Sequence, residues 1–143
     1  MLYVKDIMSR KVETIEGSST IYQAAIKMAK LKIGSLIVVE RSKPKGIVTE
    51  GDVSRAVAKG LDLRKNPVKS VIGKQLIMTT SGARVEEAAK VMATSSIKKL
   101  PVVDGGKLIG MVTQTDIVGS SFDLVTALKE MVRARYRPPD FQP

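Results

Sequence analysis

A gapless self-match constrains this chain more than any other feature. Sliding the sequence by 64 residues lays 4–55 on 68–119, and 15 of the 52 aligned positions are identical. Val4-Lys5-Asp6-Ile7-Met8 falls on Val68-Lys69-Ser70-Val71-Ile72. Ala24-Ala25 and Met28-Ala29 fall on Ala88-Ala89 and Met92-Ala93. Residues 36–40 fall on 100–104, and 46–52 fall on 110–116. The 143 residues are therefore two copies of one unit of about 55 residues, joined near 60–67. A unit that small rarely buries enough apolar surface alone, so the copies are expected to pack on each other. Residues 1–64 form copy one with the linker, and 65–143 form copy two with a C-terminal helix and tail.

Each copy reads β-α-β-β-α. A short extended stretch comes first, at 12–15 and again at 76–79. In the following helix, Ile21, Ala24, Ala25, Met28 and Leu31 recur at the three-and-four spacing of one helical face. Thr20-Ile21-Tyr22-Gln23 reads as a capping box. Arg84 stands in Thr20's place in copy two and caps more weakly; the face there is Val85, Ala88, Ala89 and Met92. Two β-rich runs follow. In copy two they flank Asp104-Gly105-Gly106-Lys107, a hairpin turn. In copy one residues 41–45 do that job, with Pro44 placed in the turn. A second helix follows Asp52 and Asp116. The last helix carries Leu124, Leu128, Met131 and Val132 on one stripe, and Pro138-Pro139 end it.

Composition removes several function classes. There is no Cys, His or Trp, so thiol nucleophiles, Cys/His zinc sites and His-based acid–base chemistry are out. Aromatic residues are 3% of the chain, too few for base-stacking platforms. The net charge of +10 divides evenly, with twelve basic and seven acidic residues in each of 1–64 and 65–143. Such a surface attracts phosphates, nucleic acid or acidic partners. No apolar run reaches the eighteen or so residues of a membrane span, and a cytoplasmic protein is expected. No carboxylate pair suggests catalysis, so the chain is read as a non-enzyme. Glu86-Glu87 suits the first turn of a helix. Gly105-Gly106-Lys107 lacks P-loop spacing.

The ordered motifs resemble a tandem pair of CBS domains, a Bateman module. Ala-Ala-x-x-Met lies on the helix, and Leu-Pro-Val-Val-Asp spans 100–104. Gly-hydrophobic-Val-Thr-x-x-Asp closes each copy at 46–52 and 110–116. Copy one departs in having Ile37 for Pro101 and Gly34-Ser35 for Lys98-Lys99. The resemblance covers nearly all of 4–130. It implies an α+β, sandwich-like fold in which two repeats related by a pseudo-twofold axis pack into one stand-alone module. It also implies a cleft on each side of their interface, adenosyl ligands in those clefts and pairing into homodimers through helices.

Carried over on that resemblance, one cleft holds Thr49, Asp52, Lys74, Leu76, Ile97, Lys98, Lys99 and Pro101. The other holds Ser9, Val12, Thr14, Ile33, Gly34, Ser35, Thr113 and Asp116. The Asp accepts from the ribose hydroxyls, the Thr adds a bond to ribose or phosphate, and apolar members sandwich the base. Thr-x-x-Asp ahead of an apolar helix is equally a capping box, and the two roles can coexist. Val12, Leu76, Ile33 and Ile97 also read as plain core. Lys98-Lys99 gives the Asp52 cleft two ammonium groups, or else a solvated surface pair. As ligands of phosphate they make it the expected nucleotide site, with the Asp116 cleft taking a less charged ligand or none. Arg10, Lys11 and Lys74 stand near the copy starts, where they could supplement either.

The function expected is a regulatory module that senses AMP, ADP or ATP, with S-adenosylmethionine less favoured. It needs no cofactor or metal, and signals through an unknown effector protein. Two other readings stay open. One is nucleic-acid binding driven by charge, with Lys129, Arg133, Arg135, Tyr136 and Arg137 as a backbone-contacting patch. The other is a purely structural dimerisation module.

Overall fold

The computed structural model describes residues 2–73 and 75–120. Lys74 and the last-helix stripe, with its basic cluster and prolines, lie outside them. The element order is α1 (Val4–Ile7), β1 (Thr14–Glu16), α2 (Ile21–Leu31), β2 (Ser35–Glu40), β3 (Lys43–Thr49) and α3 (Glu50–Ala58). A 3-10 turn (Val68–Ser70) opens the second copy, followed by α4 (Val85–Ser95), β4 (Lys99–Asp104), β5 (Lys107–Thr113) and α5 (Gln114–Ser120). The main helices and hairpin strands keep the 64-residue offset to the residue.

The local signals act as read. Thr20 accepts from the Gln23 amide, and Gln23 reaches back to the Thr20 amide, closing the capping box on α2. Arg84 makes no side-chain cap on α4. β1 runs parallel to β2, and β2 pairs antiparallel with β3, with a register shift between Val38 and Val39. β4 and β5 repeat that hairpin, with the shift between Val102 and Val103.

One expectation narrows and one is corrected. The stretch 76–79 pairs through a single residue, Thr79, which bridges in parallel to Val102, donating to Pro101 O at 3.0 Å and accepting from Val103 N–H at 2.9 Å. Pro44 is not in the turn of copy one. Arg41 and Ser42 form a two-residue turn with φ of 51° and 64°, and Pro44 sits in β3 opposite Val39 at the bulge. β3 is an edge strand, so a residue lacking an N–H leaves no ladder bond unmade there. In copy two the same left-handed turn falls on Gly105 and Gly106, which adopt it at no steric cost.

The opening segments exchange places. Val4 N–H donates to Ala83 O at 2.8 Å, Lys5 N–H to Ser81 O at 3.1 Å, and Val85 N–H to Leu2 O at 3.1 Å. The same three bonds recur 64 residues on, from Val68 to Ser19 (2.8 Å), Lys69 to Gly17 (3.2 Å) and Ile21 to Asn66 (3.0 Å). Thus α1 packs on the second copy, where Val4 joins Ala88, Met92, Leu100, Val102 and Val112. The 3-10 turn packs on the first, where Val68 joins Ile21, Met28, Leu36, Val38 and Val48. A Cβ on Gly110 would stand 2.8 Å from Ser9 O and from Met8 Sδ, so that glycine permits the crossing segment to approach. Each copy thus completes the other's core, and β3 and β5 lie against each other between them.

Candidate functional site

Two clefts open beside the contact of β3 with β5. The larger, of about 280 Å³, is lined by Ser9, Lys11, Val12, Glu13, Ile33, Ser35, Lys99, Met111, Thr113 and Asp116. The crossing segment supplies Ser9, Lys11, Val12 and Glu13, the α2–β2 junction supplies Ile33 and Ser35, and the end of β5 supplies Met111 and Thr113. Ser9 is held by reciprocal bonds with Met111, each 2.9 Å. Six of the eight residues expected together meet here. Thr14 is instead paired in β1 with Ile37, and Gly34 lies outside the lining, its carbonyl accepting from Glu50 N–H at 3.1 Å.

The smaller cleft, of about 150 Å³, is lined by Gly46, Ile47, Gly73, Gln75, Leu76, Ile77, Ile97 and Lys99. Leu76, Ile97 and Lys99 come together there as expected. Pro101 is buried in the core and Lys98 is exposed, and neither reaches that lining. Nor do Thr49 and Asp52; Asp52 lines a separate recess of about 200 Å³ with Arg55, Lys59 and Ser70. By the 64-residue offset, Ser9, Lys11 and Glu13 of the larger cleft become Gly73, Gln75 and Ile77. Among the described residues the second cleft keeps Gln75 and Lys99 as its polar side chains.

The two aspartates differ in what they already hold. Asp52 Oδ2 accepts from Thr49 N–H at 2.8 Å and from the Thr49 hydroxyl at 3.0 Å. Its Oδ1 accepts from Arg55 Nη2 at 2.7 Å. Both carboxylate oxygens are engaged. Asp116 Oδ2 accepts from Thr113 N–H at 2.9 Å, and its own amide donates to Thr113 Oγ1 at 3.1 Å. Among the described residues nothing donates to Asp116 Oδ1, because the position matching Arg55 is Gly119. Both Thr-x-x-Asp motifs are therefore caps, and among the described residues only the second, on a residue that lines its cleft, has a carboxylate oxygen that accepts no hydrogen bond.

Glu13, Met111 and Arg55 were not singled out from sequence. Met111 could have been found by alternation, since β5 sends Val112 into the core and its neighbours outward. Arg55 could have been found by spacing, since i and i+3 on a helix are neighbours. Among cations, Lys99 Nζ donates to Ser35 Oγ at 2.9 Å, and Lys27 reaches the Thr14 carbonyl and stands 3.9 Å from Glu13.

Known proteins resemble this arrangement closely. The CBS domain-containing protein YhcV of Bacillus subtilis is 35% identical over 118 residues, covering 82% of this chain and 84% of that protein. The CBS domain pair of protein MJ0100, solved with 5′-methylthioadenosine and S-adenosyl-L-methionine, superposes with a TM-score of 0.76 at 28% identity. That match covers 87% of this chain and 98% of the other. A hexameric CBS-CP12 protein from bloom-forming cyanobacteria gives a TM-score of 0.74 at 32% identity, over 93% of this chain and 81% of the other. The CBS-domain family model matches residues 4–59 and 68–123. The chain therefore belongs to the CBS-domain family, as a pair of CBS domains folded into one module.

Proposed function

We propose that this module is a regulatory sensor that binds an adenosyl nucleotide in the Asp116 cleft. The observation that carries the reading is Asp116 Oδ1, which accepts no hydrogen bond among the described residues, in a cleft that also holds two lysines. A carboxylate oxygen of this kind accepts from a ribose hydroxyl. Val12, Ile33 and Met111 supply apolar contact for the base. Ser9's backbone is engaged with Met111, while the Val12 peptide makes no hydrogen bond among the described residues and is left to read the base edge. Lys11 and Lys99 favour a ligand bearing phosphate. This reverses the order of preference expected from sequence, in which Lys98-Lys99 favoured the Asp52 side. The adenosyl ligands of the MJ0100 pair support the ligand class. AMP, ADP and ATP are preferred over S-adenosylmethionine because of the lysines.

Ligand binding stabilises one arrangement of the two copies, and a partner that distinguishes the arrangements reads the signal. Self-association is proposed through the outer face of α2, where Tyr22, Ile26 and Leu31 are exposed around a groove of about 450 Å³. No helix among the described residues is long and apolar enough to cross a membrane. A cytoplasmic sensor, with no catalytic step of its own, is the role proposed.

The test is calorimetric titration with AMP, ADP, ATP, GTP, S-adenosylmethionine, 5′-methylthioadenosine and a short duplex DNA at fixed salt. Asp116→Ala should abolish nucleotide binding at the stronger site, and Asp52→Ala should leave it within about threefold. Loss in Asp52→Ala alone would restore the order expected from sequence. Salt-steep DNA binding with no nucleotide response would replace the sensor by a nucleic-acid-binding protein.

A further inference from the structure

Positions 35 and 99 are equivalent by the 64-residue offset, and each opens the first strand of its hairpin. Ser35 pairs with Thr49 in register, and Lys99 with Thr113. The pseudo-twofold axis therefore relates the two side chains, yet only one of them is charged. Lys99 lines both clefts, and its Nζ reaches across to Ser35 Oγ at 2.9 Å. Lys11 serves the Asp116 cleft alone, and its equivalent on the other side is Gln75. Among the described residues, Lys99 is thus the one cation that lines the Leu76 cleft.

We propose that Lys99 couples the two clefts negatively for phosphorylated ligands. The inference rests on the adenosyl-nucleotide reading above. A lysine is a single ammonium on a flexible four-carbon stem, and it turns to one phosphate at a time. A phosphate in the Asp116 cleft draws Nζ toward Lys11 and away from the Leu76 cleft. A phosphate in the Leu76 cleft draws it the other way. Linkage makes the penalty the same in both directions. A ligand with the same base and ribose but no phosphate has no claim on Nζ and is not coupled. The asymmetry would make the module respond to the first nucleotide bound and resist the second.

The test is calorimetric titration of AMP and adenosine into the intact chain and into Asp116→Ala, Lys99→Gln and Ser35→Lys. Affinity of the Leu76 cleft is read as the second step in the parent and as the remaining step in Asp116→Ala. For AMP that site should bind about tenfold more tightly once Asp116 is removed, the scale of ordinary coupling between sites. Adenosine should show no such difference. Combining Lys99→Gln with Asp116→Ala, against Lys99→Gln alone, should remove the difference for AMP. Ser35→Lys, which adds a second ammonium at the symmetry-related position in the Asp116 cleft and leaves Lys99 to the Leu76 cleft, should remove it while keeping both steps. An equal second-step affinity with and without Asp116, or a difference that survives Lys99→Gln, overturns the coupling. One equivalent of AMP throughout, lost in Asp116→Ala, also overturns it and leaves the sensor reading standing. No AMP binding to any form overturns both.

Discussion

Val4→Ala tests the exchange of opening segments directly. Val4 is fully buried, and its neighbours Ala88, Met92, Leu100, Val102 and Val112 all belong to the second copy. The substitution removes two methyl groups. At about 0.8 kcal/mol for each buried carbon the transfer loss is roughly 1.6 kcal/mol. The surrounding strands are pinned by the β4–β5 ladder and relax only partly, so a cavity contribution of about 1 kcal/mol adds to it. The expected cost is about 2–3 kcal/mol, or roughly 6–12 °C in Tm for a chain of this size. Urea unfolding followed by circular dichroism measures the total. Hydrogen exchange then locates it: protection should fall first in α4, β4 and β5, eighty or more residues away in sequence. Val68→Ala should mirror it, loosening α2, β2 and β3. A cost below about 0.5 kcal/mol, the range of surface substitutions, would refute the docking of α1 on the second copy. So would lost protection confined to α2 and β2 in Val4→Ala.

Three further outcomes follow from local geometry. Arg41→Asn combined with Ser42→Gly should raise stability by about 1–2 kcal/mol in thermal melts, because both positions hold the left-handed conformation that Asn-Gly adopts readily; an unchanged or lower Tm would count against that turn. Arg84→Ser should add about 1 kcal/mol by creating a capping box with Glu87 at the third helical position of α4, whereas Thr20→Ala should cost a similar amount by destroying the one on α2. The Ser81 hydroxyl and amide both donate to Asp104, and they hold its carboxyl below the ordinary value of 3.8. A lowered folded pKa means this contribution is complete above 3.8 and disappears as pH falls through the depressed value. Ser81→Ala should therefore lower stability modestly at neutrality and leave it unchanged once pH is below the depressed value, so that the two curves converge in acid and the acid limb of the variant is flatter; curves that run parallel through the acid range would refute the link.

Much of this molecule was legible in its residues. The self-match at 64 located both copies, and helical periodicity located α2 and α4. Turn chemistry identified the Gly105-Gly106 hairpin, and the Thr20 and Arg84 positions told a capped helix from an uncapped one. Apart from the self-match, these features are local, and each depends on residues within a few positions of one another. The hairpin of copy one escaped because Arg41 and Ser42 carry no turn signature, so Pro44 drew the turn toward itself.

Only the tertiary structure decided which copy each opening segment serves. The two copies present nearly the same docking groove, so docking in place and docking by exchange bury the same residue types and leave the same pattern in sequence. The choice lies in long-range backbone bonds such as Val4 to Ala83 and Val68 to Ser19, which no periodicity records. The site followed the same rule. Its aspartates and most of its apolar walls could be placed by motif. Their availability could not, because Arg55 answers Asp52 while Gly119, at the matching position, gives Asp116 no such partner. Lys99 could be assigned to one cleft by analogy but to both only in space, because a side chain beside a pseudo-twofold axis faces each half of the molecule at once.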